Sequence, residues 1–469
     1  MPDGGIRVHS EHSNAYQEVS GYIVPTLLYY GERSLADRVV SWLIRVQQPD
    51  GAFVDPDAGR PIIFDTGQAL RGLLASAARN PEALNSARKA ATYLRDQMID
   101  GGRGGFGNRY GGTISEAIHL YVLPPLLEAA EVLNDRSYRL GAEQCLEHYL
   151  NHPDALRIRD LTHFLAYQLE ALIDLNRPEL ALPLLDKLAQ SQRRDGAVNG
   201  IPGCGWVCTP GLAQLAICWY KTGNVDAADR AVGWLDAHQR TSGGFLGCYG
   251  RRKGYYFPRA ELSWAAKYYL DAHALRLAAH FNRQAHLFPE EIPIEDGRIQ
   301  AVRPLVAPGS RIVELGCGKG RFLKALAQAC PGIECTGVDI SEVMLRSLSP
   351  EFKKVIAPLE SVPLPDAQYD VVFAVEAIEH SSNQPAVIEE MARLARPGGW
   401  IIIIDKQQSQ NGRMQTESWE RWPALAEMST ALASHCSDVT ARSVGYDGRD
   451  AADGLMIAWT GRKAEGLPR

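Results

Sequence analysis

The residues best suited to chemistry lie in one short run, Val313-Glu-Leu-Gly-Cys-Gly-Lys-Gly320, which leads into Arg321-Phe-Leu-Lys-Ala-Leu326. Closely spaced glycines permit a tight strand-to-helix turn and let a ligand lie directly on main-chain atoms. Nineteen residues beyond Gly320 stands Asp339, in Gly337-Val-Asp-Ile-Ser341. An acid at the end of a second strand can accept both ribose hydroxyls of an adenosine-containing cofactor. Two cofactor classes use this plan. The dinucleotide form, G-x-G-x-x-G/A, needs a small sixth residue so that the helix packs closely on the strand, and here that position is Arg321.

A second group of candidates lies further on. His380 follows Tyr369-Asp-Val-Val-Phe and Glu376-Ala-Ile-Glu. With an ordinary pKa of about 6.5, it suits proton removal near neutrality. Its bland alternative is a helix cap or a pocket wall. Glu376 and Glu379 are further bases, and Asp405 and Lys406 follow Trp400-Ile-Ile-Ile-Ile404, where Lys406 suits an anionic group of a substrate.

These residues need a scaffold of short strands alternating with helices. Strands are expected at Arg311–Leu315, Glu334–Val338, Val355–Ile356, Tyr369–Ala374 and Trp400–Ile404, with helices near 319–329, 342–347 and 384–396. Such alternation builds a doubly wound parallel sheet whose ligands bind at the carboxyl ends of the strands. A helix over Glu417–Ser434 and two strands, Asp438–Val444 and Gly454–Trp459, are expected to complete an antiparallel edge.

The Glu-Leu-Gly-Cys-Gly-x-Gly run resembles the first motif of class I S-adenosylmethionine (SAM)-dependent methyltransferases. Leu359-Glu-Ser-Val-Pro-Leu-Pro-Asp366, the Tyr369 strand, Glu376-Ala-Ile-Glu-His380 and Arg396-Pro-Gly-Gly-Trp400 follow in family order. The resemblance implies SAM as cofactor and a Rossmann-like domain over 298–469. It implies that Gly316, Cys317 and Gly318 line the methionine moiety, that Glu314 orients its ammonium group and that Asp339 holds the ribose. Ile340 and Met344 would pack on adenine, Leu359 and Glu360 would flank it, and Val375 would border the cofactor at the fourth strand. Many relatives carry Asp just before the Leu-Glu pair, whereas this chain has Pro358. Adenine recognition would then rest on backbone groups or on Glu360.

The N-terminal residues 1–285 carry a different signal. Gln precedes Gly by four residues at Gln47, Gln97, Gln192 and Gln239, at spacings of 50, 95 and 47. One period is therefore about 48 residues, with a degenerate copy at Ala142–Leu150. Ala36-Asp-Arg-Val-Val-Ser-Trp-Leu43 and Ala228-Asp-Arg-Ala-Val-Gly-Trp-Leu235 share six of eight residues. Each unit reads as an apolar helix, such as Ile114–Leu127, and an amphipathic one, such as Ser86–Met98, closed by a glycine cap. About six hairpins fit, the number that closes an (α/α)6 toroid. Gln47-Gln-Pro-Asp-Gly-Ala-Phe53 is similar to the repeat of terpenoid cyclases and protein prenyltransferases. Gly205–Ala216 resembles the toroid of uronyl epimerases and polysaccharide lyases. No Asp-x-Asp-Asp protonation motif of the cyclases is present.

Segments joining outer to inner helices gather Phe64, Asp65, Glu116, His119, Trp206, Thr209, Tyr255, Tyr256, Arg259, Glu261 and Trp264. Aromatic faces rimmed by carboxylates and Arg suit a saccharide or another polar ring. The alternative is that they cap helices and fill the ring's centre. Residues 286–297, with two prolines and several acids, read as a linker.

Composition excludes several partners. A net charge of −6 gives no footprint for nucleic acid and no polybasic stripe for a membrane. No apolar run is long enough to span a bilayer, and no signal peptide is visible at the start. Nine scattered cysteines suit free thiols in a reducing cytoplasm, and Cys204-x-x-x-Cys208 lacks the second ligand pair that zinc needs, so no metal is expected. The expectation is a multidomain enzyme that O-methylates a saccharide or glycan-linked intermediate, with the toroid helping to bind the acceptor. The alternatives are a toroid that is itself a lyase, epimerase or cyclase, and a toroid that serves as a non-catalytic scaffold.

Overall fold

The structure is a computed structural model and describes residues 3–99, 104–106, 114–152, 155–250 and 256–465. The chain forms two compact units, one of Met1–Leu27 with Arg33–Arg276 and one of Leu28–Glu32 with Leu277–Arg469.

The first unit is helical: α1 (Gln17–Tyr29), α2 (Arg33–Val46), α3 (Ile63–Ala77), α4 (Pro81–Asp96), α5 (Leu123–Val132), α6 (Arg136–Leu150), α7 (Thr162–Asp174), α8 (Pro178–Gln190), α9 (Thr209–Lys221), α10 (Val225–Asp236) and α11 (Ser263–Gln284). Two small antiparallel ribbons join them, β1 (Val54–Asp55) with β2 (Arg60–Pro61) and β3 (Trp206–Cys208) with β4 (Cys248–Gly250). The repeat has a packing cause. Ala36, Val39, Val40, Trp42 and Leu43 of α2 are buried, as are Ala228, Ala231, Val232, Trp234 and Leu235 of α10, so the matched residues form the same apolar stripe. α3, α7 and α9 are buried almost all round, polar side chains included.

The recurring glutamine is a clasp. Gln47 Nε2 donates to the Gly51 carbonyl (3.1 Å) and to Ser86 in α4 (3.0 Å). Gln192 Nε2 repeats this with Gly196 (2.8 Å) and Ala227 in α10 (2.9 Å). At the end of α6 the residue is Asn151, whose shorter side chain donates back to Glu147 of its own helix. α1 and α11 also meet, through Thr26 Oγ1 and Asp271 (2.7 Å).

The Ile114–Leu127 stretch is not one α-helix: a 3-10 segment, Glu116–Val122, precedes α5. Pro124 and Pro125 explain the change, because the first turn of a helix tolerates proline and its interior does not.

The second unit holds a seven-stranded sheet. In chain order its elements are α12 (Gly297–Val302), β5 (Arg311–Leu315), α13 (Arg321–Ala329), β6 (Glu334–Asp339), α14 (Glu342–Arg346), β7 (Lys353–Ile356), β8 (Tyr369–Val375), α15 (Gln384–Leu394), β9 (Ala395–Lys406), α16 (Leu425–Ala433), β10 (Cys436–Ser443) and β11 (Met456–Lys463). The strand order is β10-β11-β9-β8-β5-β6-β7, with the five strands β5 to β9 parallel and β11 and β10 antiparallel at one edge. This is the Rossmann-like arrangement expected. β5, β6, β8 and β9 are buried on both faces by apolar runs such as Ile401–Ile404, as a sheet sandwiched between helices requires, whereas the edge strand β7 is largely exposed.

One element differs from expectation. The helix expected over Glu417–Ser434 is confined to α16, and Trp419 and Trp422 precede it in irregular chain. Pro423 lacks an N–H and disfavours helical geometry in the residue before it, so the helix starts two residues later. Among the described residues no helix is long and apolar enough to cross a membrane, no cluster of His, Cys, Asp and Glu could hold a metal, and all nine cysteines are free.

Candidate functional site

The turn after β5 is built by glycines in left-handed geometry. Gly316, Gly318 and Gly320 have φ of +74°, +53° and +74°. A Cβ on Gly316 would lie 2.4 Å from Ala377, and one on Gly320 would lie 2.1 Å from Leu348. Neither position has room for a side chain, so the turn stays bare on its ligand side. The amides of Gly316 and Cys317 donate to the Val338 carbonyl at 2.8 and 3.0 Å, which holds the turn to the end of β6.

Asp339, at the tip of β6, fixes the same turn from its side chain. It accepts from the Gly318 amide (2.7 Å) and from the Ser341 amide (2.8 Å). Burial raises its pKa while these two amides oppose the shift. Glu314 is buried more deeply, and its Oε2 has no hydrogen-bond partner. Burial pushes it well above the usual carboxylate range, with Arg321 working against that and Asp339 adding to it. A buried carboxyl with one oxygen unpartnered, beside a bare glycine turn, suits a cationic ligand group.

The remaining expected cofactor residues surround this turn. Met344 Sδ would lie 3.5 Å from a Cβ on Gly318, and Leu359 Cδ2 would lie 3.6 Å from one on Gly316. Met344 and Val375 are buried, whereas Ile340 and Leu359 are half-buried. Cys317 is buried and its thiol is held neutral by burial. Glu360, also raised by burial, accepts from Ser381 Oγ at 2.5 Å. The sequence therefore brings Glu314, Gly316, Cys317, Gly318, Asp339, Met344 and Leu359 into one patch at the carboxyl ends of β5 and β6.

A second patch lies past β8 and β9. His380 closes a 3-10 turn, Ile378–His380. Its Nε2 faces Glu379 Oε1 across 3.6 Å, while its Nδ1 is buried with no partner. Burial, then Lys406 and His280, lower its pKa to about 3, so the imidazole stays neutral around pH 7. Lys406, expected to bind an anionic group, has its ammonium on Glu379 Oε1 at 2.5 Å. Although burial favours its neutral form, Asp405 and Glu379 hold its pKa up. Glu379 is pushed up by burial and by Asp405. Glu379 bonds this ammonium directly, while Asp405 accepts from the Lys406 amide and acts on the ammonium through its charge.

Glu376 does not serve this patch. It adopts φ +50° and accepts from Arg298 Nη1 (2.7 Å) and Arg321 Nη2 (2.9 Å). Arg298 is fully buried and also bonds Asp296 (2.9 Å) and Asp447. The sequence reading missed Arg298, because two of its three partners, Glu376 and Asp447, lie 78 and 149 residues away and share no motif with it.

The candidate acceptor residues of the first unit fall into separate neighbourhoods. Glu116 faces His152 at 3.9 Å. His119 is fully buried, in contact with the Tyr149 hydroxyl at 3.3 Å, and burial lowers its pKa to about 4. Trp206 packs with Tyr256 around Cys208 and Cys248. Glu261 pairs with Arg240 at 2.6 Å and Arg259 is exposed. Tyr255 lies outside the described residues. Cys204 Sγ donates to the Trp206 carbonyl at 3.1 Å.

Comparison with known proteins agrees with the second unit. Residues 313–403 match the family described as a methyltransferase domain. The chain is 34% identical over 105 residues to the ubiquinone biosynthesis O-methyltransferase of Bordetella avium (strain 197N), covering 20% of this chain and 42% of the relative. It is 32% identical over 117 residues to the 27-O-demethylrifamycin SV methyltransferase of Amycolatopsis mediterranei (strain S699), covering 23% and 42%. The chain thus spans less than half the length of these relatives. Among solved structures, the Burkholderia thailandensis 1,6-didemethyltoxoflavin-N1-methyltransferase with bound 1,6-didemethyltoxoflavin and S-adenosylhomocysteine (SAH) is similar at 19% identity and a TM-score of 0.34, over 41% of this chain and 89% of that one. The second unit is a SAM-dependent methyltransferase domain.

Proposed function

We propose that the whole chain transfers a methyl group from SAM to an oxygen of a saccharide or glycan-linked intermediate, and that the first unit is a closed α/α ring that helps to bind the acceptor. The observation that carries the first part is the bare glycine turn clamped to Asp339 beside the unpartnered Oε2 of Glu314. The residues fit the cofactor. Asp339 would hold the ribose, main-chain atoms of Gly316–Gly318 the methionine chain, and Glu314 its ammonium. When bound, SAM supplies a methyl group on a positively charged sulfur, which an oxygen displaces in line while the C–S bonding pair goes to sulfur.

The chain's own residues then have two tasks. They hold the acceptor oxygen in line and orient its hydroxyl. With a proton on His380 Nε2, facing Glu379, Nδ1 keeps a bare lone pair and is our assigned hydrogen-bond acceptor for that hydroxyl. With its pKa lowered to about 3 it orients the oxygen and is too weak a base to take up the proton beforehand, so alignment carries the transfer. Cys317 and Val375 would wall the methyl path from water.

Support for the ring is the alternation of wholly buried with amphipathic helices, together with the Thr26–Asp271 bond between the first and last helices. A scaffold role without a ligand is the second reading. It is favoured by the closed packing of Asp65, Gln68, Gln214, Tyr121 and Tyr268, none of which exposes more than 1% of its surface.

Titration calorimetry with SAM and SAH tests the cofactor. Absence of binding to the purified full chain overturns the methyltransferase reading. Labelled SAM incubated with fractionated cell extract, followed by identification of the product, tests the acceptor. A labelled product lacking a sugar would overturn the saccharide assignment. Trp206→Ala or Tyr256→Ala should raise acceptor KM while leaving SAM affinity unchanged. Unchanged KM in both variants would leave the scaffold reading.

A further inference from the structure

The tail of α11 belongs to the same compact unit as the sheet, yet it lies outside the matched residues 313–403. Three consecutive side chains there face the two patches. Asn282 Oδ1 accepts from Ser341 Oγ (2.7 Å) and from the Val343 amide (3.3 Å), at the start of α14 and two residues past Asp339. Phe281 meets His380 edge-to-face at 5.0 Å and 77°. His280 meets Trp419 in the same way at 4.7 Å and 85°. Helix geometry explains the division: adjacent residues project about 100° apart, so neighbours in sequence reach different parts of one pocket.

Around these rings three polar atoms are buried without a hydrogen-bond partner: His380 Nδ1, Trp419 Nε1 and Glu379 Oε2. Buried polar atoms are normally satisfied, so three at one aromatic cluster mark the place of an absent hydrogen-bonding ligand. The rings supply flat apolar faces and the three atoms supply polar contacts. That is the chemistry of a ring carrying several hydroxyl groups.

We infer that His280, Phe281, Trp419 and His380 wall an acceptor slot for a hydroxyl-bearing six-membered ring, and that Asn282 ties this slot to the cofactor's ribose side. The inference rests on the methyltransferase reading and adds to it the acceptor's binding surface. Phe281 and Trp419 are binding residues. Asn282 is a positioning residue that acts through the Ser341–Val343 turn.

The test uses the full chain with SAH present and three ring probes: methyl α-glucopyranoside, methyl β-galactopyranoside and catechol. Saturation-transfer NMR should show at least one probe bound, with its signal reduced about tenfold or more in Phe281→Leu and in Trp419→Leu. Val132→Ala, at an exposed position of α5, should leave that signal unchanged. The NMR titration of the His380 imidazole provides a readout independent of any probe. Phe281→Ala should shift its midpoint up by about one pH unit or more, because removing the ring admits water. Asn282→Ala should weaken SAH binding measured by calorimetry while its unfolding midpoint stays near that of the parent.

If SAH binds but no ring probe does, the slot is overturned and the methyltransferase reading stands. Loss of SAH binding in the parent protein overturns both. Binding of catechol alone keeps the slot and removes the saccharide assignment. Equal loss of probe signal in the Val132 variant, or full signal in both the Phe281 and Trp419 variants, places the acceptor elsewhere and overturns the slot.

Discussion

The Gly318 amide donates to Asp339 Oδ2 across 2.7 Å, so the carboxylate proposed to bind the cofactor also shapes the glycine turn beside it. Its Oδ1 is engaged by Ser341 at the head of α14. The cofactor site is therefore organised before the cofactor arrives, and binding need not spend free energy on ordering the turn.

Asp339→Ala removes the proposed ribose partner and leaves two main-chain amides without an acceptor. SAM affinity should fall at least tenfold, with about 1–3 kcal/mol lost from stability. Asp339→Asn keeps an acceptor for Gly318 and should lose affinity with a smaller loss of stability. Calorimetry and urea unfolding on the pair separate the two roles. Equal affinity in all three proteins would show that Asp339 does not touch the cofactor.

Gly316→Ala should disable the turn. Its φ of +74° strains any side chain, and the new methyl would lie 2.4 Å from Ala377. The control is Gly332→Ala, at φ +88° with no atom within 4 Å of the added Cβ. That variant carries backbone strain of about 1 kcal/mol and nothing else. SAM binding should be lost in the first and kept in the second. If both bind normally, the turn has more room than its geometry shows.

Arg298→Met should destabilise the second unit by about 3–5 kcal/mol, because it leaves Asp296 and Glu376 partly buried without their cation. Arg298→Lys restores charge without the fork that serves Asp296, Glu376 and Asp447 together, and should recover only part of the loss. Denaturant midpoints check this. A midpoint for the methionine variant equal to that of the parent would show that the cluster contributes nothing.

Acid should loosen the first unit through His119. Burial holds this imidazole at about 4, against an ordinary value of 6.5. Between those values the unfolded chain takes a proton that the folded chain refuses, so stability falls as pH drops through the window. Asp65, raised by burial and by Glu18 and Asp55, acts in the opposite sense, so the whole-protein slope is a sum. His119→Gln should remove about 1 kcal/mol per pH unit from that slope, as read from urea unfolding at pH 7, 6 and 5. Parallel slopes in variant and parent would mean that folding does not lower the His119 pKa.

What the sequence made legible follows interaction range. β5 and β6 could be placed because short apolar runs end in Gly or Asp at the turns that the parallel sheet needs, and β9 because Ile401–Ile404 is one continuous buried run. The Gln–Gly repeat was visible because its bond closes over four residues. The start of α16 was misjudged because the apolar spacing near Trp419 and Trp422 resembles a helix, while Pro423 overrides it. The Glu376–Arg298 bond spans 78 residues and the Asn282–Ser341 bond 59, and no local pattern encodes either pairing. His380 was found by its place after β8, but its neighbour Phe281 comes from a helix that reads as part of the repeat.

Two glutamine clasps, α2 to α4 and α8 to α10, each hold one outer helix to the next by a single side-chain amide. Such links are nearest-neighbour couplings, so the helical unit behaves as a row of joints in series. Asn151 spends its amide on its own helix, which leaves the step after α6 uncoupled in this way. Heat or mechanical load should therefore part the row at that seam first, with backbone amides of α6 exchanging before those of α2 or α10.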